Sequence, residues 1–81
     1  MNKIAGYRKM LGKSQKQIAS NFNISEQAYR NKEKGRTEFK KGEMQIFKNL
    51  LVNQGFTNIT IDDIFFDHQP TQTDSLEKEV N

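Results

Sequence analysis

The sequence contains no cysteine. That excludes a disulfide framework, a thiol nucleophile and every Cys-based zinc or iron–sulfur site. No stretch approaches the roughly 18 apolar residues that a membrane helix needs. The opening Met1-Asn2-Lys3-Ile4 has no apolar signal core. Apolar residues are scarce, at 33% of the chain with a mean hydropathy of -0.90, so any core must be compact. A length of 81 residues allows one small domain, with no second domain to wall a substrate cleft. The lone histidine, His68, has no second His, no Cys and no grouped carboxylates around it. Ser14 and Ser25 have no base nearby in sequence to activate them. Asp62-Asp63 reads as a capping pair rather than a metal site. The expectation is therefore a soluble, cytoplasmic non-enzyme with no metal and no cofactor.

What the chain does have is an uneven charge. Its formal net charge is +3. Residues 1–48 hold 12 Lys/Arg against four acids, a net of +8, whereas residues 49–81 hold one base against six acids, a net of -5. A basic front and an acidic rear fit a polyanionic partner for the front, although a charged face also serves solubility. Beyond Asp67 the chain turns polar around its one proline, Pro70, with almost no large apolar group. Such a segment cannot offset its ordering entropy by burial, so residues 68–81 read as a disordered acidic polar tail. Within it, Leu76 and Val80 lie four apart and are spaced for a weak amphipathic turn on a protein partner. Residues 1–67 form the domain.

The domain reads as all-α, with five short helices. Ile4, Tyr7, Met10 and Leu11 recur at helical spacing after Asn2 as a cap, and Gly12 sits where a C-terminal cap belongs. Ser14 and Gln17 form a capping box for a second helix with the apolar face Ile18, Ala19 and Phe22. Asn23 is the turn residue, because Asn tolerates positive φ. Ser25 caps a third helix, with Glu26 in its first turn, ending near Gly35. Met44, Phe47, Leu50 and Leu51 mark a fourth helix closed by Gly55. Thr60 caps a fifth through Ile61, Ile64 and Phe65. Phe56 and Ile59 fold back onto the core, and Phe39 reads as core rather than loop.

The informative spacing is residues 14–35, SQKQIASNFNISEQAYRNKEKG. Two short helices are joined by three or four residues, with Ile18, Phe22, Ile24 and Tyr29 able to converge and Ala19 small at the crossing. This is the arithmetic of a helix-turn-helix, whose helices meet at about 90–120°. The outer face of its second helix carries Glu26, Gln27, Arg30 and Asn31. Gln, Asn and Arg are the side chains best suited to paired hydrogen bonds with base edges in the major groove. Gln27 leads as base reader, with Asn31 or Arg30 second and Glu26 ambiguous. Lys34, Arg36, Lys40 and Lys41, beyond that helix, are candidates for phosphate contact.

Here the sequence resembles the phage repressor and Cro-like helix-turn-helix family, the lambda repressor-like domain, over roughly residues 3–66. The family's helix 1 Arg is matched by Arg8, its Ser/Thr-Gln start by Ser14-Gln15, and its apolar-Ala pair by Ile18-Ala19. Phe22-Asn23-Ile24-Ser25 matches the turn, Tyr29 the following apolar position, and Glu33-Lys34-Gly35 the closing Glu-x-Gly. Thr60-Ile61-Asp62-Asp63-Ile64-Phe65 resembles the short last helix. Three departures stand out. The turn residue is Asn23 rather than Gly. Lys32 replaces an apolar residue, its stem expected to lie over the core with the ammonium in water. The link Asn53 to Ile59 is long, which leaves dimer geometry open.

The resemblance implies a transcriptional regulator, a repressor of the Cro or immunity type, that binds double-stranded DNA as a homodimer and acts by operator occupancy. It implies a phosphate contact at the start of helix 2, from Gln15 with its neighbours Ser14 and Lys16, as suits a helix N-terminus. It also implies a buried ion pair between Arg8 and Glu33. Two alternatives remain. One is an antitoxin that binds its operator and folds its tail on a toxin. The other is a protein–protein adaptor that reuses the fold without DNA.

Overall fold

The computed structural model describes residues 2–66. The reading of residues 68–81 as a tail, with His68, Leu76 and Val80, lies outside the described residues. The described chain is all-α: α1 (Lys3–Met10), α2 (Gln15–Phe22), α3 (Glu26–Glu33), α4 (Lys41–Asn53) and α5 (Ile61–Phe65). No strand occurs among the described residues. None of the helices is long and apolar enough to cross a membrane.

Each helix begins on a side-chain acceptor that satisfies otherwise orphaned backbone donors. Asn2 Oδ1 accepts from the Ala5 N–H at 3.1 Å. In α2 the box is complete: Ser14 Oγ accepts from Gln17 N–H at 3.1 Å, and Gln17 Oε1 accepts from Ser14 N–H at 2.8 Å. Ser25 Oγ accepts from Ala28 N–H at 3.0 Å. Thr60 and Asp63 repeat the reciprocal arrangement at α5. At α4 only half of a box is chemically available, because Lys40 has no side-chain acceptor. Glu43 supplies it, its Oε1 accepting from the Lys40 N–H at 2.8 Å.

The helix ends are as regular. Past α3, the Arg36 N–H reaches back to the Asn31 carbonyl at 2.8 Å and the Gly35 N–H to that of Lys32 at 3.1 Å. This paired closure needs a left-handed residue, which Gly35 supplies at φ +83°. α2 ends the same way with Asn23 at φ 60°, the one described non-glycine residue with positive φ. The three-residue turn Asn23-Ile24-Ser25 then aims α3 across α2.

The helices close over one core. Ile18, Tyr29, Phe47, Leu51 and Ile64 are fully buried, and Ala19 gives α3 room to cross α2 closely. Phe39 leans into this core with Phe22, Tyr29 and Phe65 around it. Its ring meets that of Phe65 edge-on at 4.9 Å between centroids, a favoured aromatic geometry. Phe56 and Ile59 pack partly buried against the core. Lys3 ties α1 to the end of α5: its Nζ donates to the carbonyls of Asp63 at 3.0 Å and Phe66 at 2.8 Å, closing the last turn of α5.

Candidate nucleic-acid interface

α3 has two sides with different chemistry. Its inner side carries Tyr29 and Glu33, both buried. Arg8 Nε donates to Glu33 Oε2 at 2.7 Å, so the two residues paired through the family resemblance are in contact. The same oxygen accepts from the Tyr29 hydroxyl at 2.8 Å, and Oε1 accepts from Gln15 Nε2 at 2.8 Å. Arg8 also donates to the Lys13 carbonyl at 3.0 Å. A buried carboxylate needs such company, because leaving its lone pairs unfilled costs more than the bonds return.

The electrostatics follow. Burial by itself raises Glu33, yet hydrogen bonds from Arg8, Gln15 and Tyr29, with the guanidinium's charge, outweigh it and hold the carboxyl below its usual range. The bond to Glu33 pushes Arg8 upward against the opposing effect of burial. Tyr29 is pushed up first by burial and then by its bond to the Glu33 carboxylate, so its hydroxyl stays a donor.

The outer side of α3 is different. Gln27 and Arg30 are exposed, and Glu26 and Asn31 are half-buried. These four engage one another. Gln27 Nε2 donates to Asn31 Oδ1 at 3.3 Å. Arg30 donates through one terminal nitrogen to Glu26 Oε2 at 2.8 Å and through Nε to Gln15 Oε1 at 3.1 Å. With Oε1 on Arg30 and Nε2 on Glu33, both ends of the Gln15 amide are occupied. A phosphate contact by Gln15 is therefore left its helix-starting N–H and one amide hydrogen. Beside it Ser14 and Lys16 are exposed; the Ser14 oxygen accepts as the cap, and its O–H is the group a phosphate would use.

Lys34, Arg36, Lys40 and Lys41 are exposed along the segment from α3 to the start of α4. Lys32 corrects the sequence reading. Its ammonium is not in water. Nζ lies 3.0 Å from Glu43 Oε1 and donates to the Glu38 carbonyl at 2.9 Å, with only 10% of the Lys32 side chain and 8% of the Glu43 side chain exposed. The expected stem over the core is present, but the buried Glu43 carboxylate and the exposed Glu38 carbonyl capture its end. The pair was hidden because Glu43 reads locally as one more solvated residue of α4. Its only signal is its position three residues after the Lys40 cap.

Among the described residues no cluster of three or more His, Cys, Asp or Glu could hold a metal ion. No family model, no curated protein and no solved structure matches this chain.

Proposed function

We propose that this chain is a sequence-specific double-stranded DNA-binding protein that regulates transcription by occupying an operator, with α3 in the major groove. One observation carries the reading. α3 is anchored along one side by Tyr29 and Glu33, its opposite side offers Gln27 and Asn31, and Arg30 and Glu26 lie along the flank between them. Amide and guanidinium groups on one helical face are what base edges in the major groove require. In this reading the exposed Lys16 of α2 and the exposed cations after α3 hold the duplex backbone, which fixes register but does not read sequence.

The polar bonds across the outer face are compatible with this role. They join exposed groups, and such helix-surface pairs contribute only about 0.2–0.5 kcal/mol each, so base edges exchange with them at little cost. The bond from Gln27 Nε2 to Asn31 Oδ1 leaves the Gln27 carbonyl as an acceptor and the Asn31 amide as a donor. Together they complement the donor and acceptor that adenine presents at N6 and N7. In this reading the protein binds as a homodimer on a two-fold site. Genome-wide capture of bound DNA followed by footprinting tests it. The expected result is a palindromic site with half-sites about 34 Å apart. Recovery of no sequence motif would sink it.

A further inference from the structure

We propose that Lys32 and Glu43 act as a positioning clamp: together they fix the basic segment after α3 in the form that grips DNA phosphates, without touching the DNA themselves. The inference rests on the DNA-binding reading above and goes past it, because neither residue belongs to the expected contact set.

Three observations meet here. Lys32 Nζ bridges the Glu43 carboxylate at 3.0 Å and the Glu38 carbonyl at 2.9 Å, so one ammonium ties the end of α3, the middle of the segment and the first turn of α4. The same Glu43 oxygen accepts from the Lys40 N–H at 2.8 Å, which fixes the point where the segment enters α4. The other end is fixed by the Arg36 and Thr37 N–H groups, which reach the Asn31 carbonyl at 2.8 and 3.4 Å. The segment's register is thereby set against a residue of the reading face. Phe39 anchors its apolar side between Phe22 and Phe65. Lys32 is the polar counterpart.

Stability gives no sufficient reason for this pair. Taking two charges out of water costs several kcal/mol each in real proteins, and apolar replacements of similar volume are often neutral or better. What the pair supplies is direction, since an ion pair with two further hydrogen bonds fixes a segment's geometry more narrowly than apolar contact. Lys34, Arg36, Lys40 and Lys41 hang on that segment. Their entropic cost of gripping a backbone falls if the segment is held in place beforehand.

The test uses the full 81-residue chain, random-sequence duplex DNA over a series of salt concentrations, and amide exchange of residues 36–40. The variants are Glu43→Gln, Lys32→Met and the two combined. The double variant strands no charge and keeps an acceptor at position 43, so it should melt near wild type. We expect its segment amides to exchange faster and its slope of log affinity against log salt to fall by about one to two units, one for each phosphate that is no longer gripped. Glu43→Gln is the sharper arm. It removes a negative charge, which by simple Coulomb attraction should tighten DNA binding; the clamp predicts weaker binding. Tighter binding would show Lys32 to be a phosphate ligand released from its partner, and would overturn the proposal. So would wild-type exchange together with a wild-type slope in the double variant. A wild-type chain with no affinity for duplex DNA overturns the DNA reading, and amide exchange alone then decides the clamp.

Discussion

At the scale of single residues, Glu33 is the centre of the molecule's polar chemistry. One carboxylate gathers a guanidinium, a phenol and an amide from three helices. Removing one partner leaves a buried charge uncompensated, which costs on the order of 3–5 kcal/mol. Total stabilities of small domains are about 5–15 kcal/mol. Arg8→Met and Glu33→Gln are therefore each expected to lower the melting temperature sharply, and unchanged melting in both would contradict the arrangement. A pH dependence follows with a definite sign. The folded Glu33 carboxyl lies below its unfolded value, so its contribution is complete above the ordinary carboxylate range, about pH 4.3. It fades as pH falls through the folded value. Melting measured into acid should decline over that window in the wild type and less steeply in Glu33→Gln. Equal slopes would remove Glu33 from the acid response. Of these contacts, sequence spacing offers the i, i+4 relation of Tyr29 to Glu33. The Arg8 partner came through the family resemblance. Gln15, 18 residues from Glu33, gave no local sign of turning inward, because side-chain amides at a helix start look alike whether they face solvent or core.

At the scale of elements, the boundaries were legible because each is a local event. Asn2, Ser14, Ser25 and Thr60 stand where a short polar side chain satisfies free N–H groups, and the structure uses each of them as a cap. Asn23 and Gly35 stand where the backbone turns left-handed. What stayed illegible was Lys32 with Glu43, since it needs the approach of α4 to α3 and no periodicity encodes that. Gly35 offers a clean test of the terminators. A Cβ built there meets nothing within 4 Å, so Gly35→Ala creates no clash and its whole effect is the positive φ. Holding an L-residue in that region costs roughly 1–2 kcal/mol. Chemical denaturation should show a loss of that size with an unchanged denaturant slope. A neutral outcome would mean that the end of α3 relaxes into another closure.

At the scale of the whole molecule, the question is whether the basic front meets DNA. Neutralising Lys40 and Lys41 together should weaken binding to operator and random DNA alike. It should also reduce the salt slope by about one unit for each phosphate released. An unchanged slope would place both side chains away from the phosphates. The all-α class and the core were readable from helical spacing, with Ile18, Phe22 and Tyr29 buried as the pattern required. The chemistry of the outer face was readable only as residue type. Its internal pairing of Gln27 with Asn31 and Arg30 with Glu26 became visible in three dimensions. Base reading by this face hinges on Gln27, and the decisive variant is Gln27→Ala. Binding is measured on the captured operator, on each single-base variant of it and on random DNA. Preference should relax at one symmetric pair of positions by about 1–3 kcal/mol, while affinity for random DNA stays nearly unchanged. An equal loss on every sequence would make Gln27 a backbone contact and contradict the docking of α3 in the major groove.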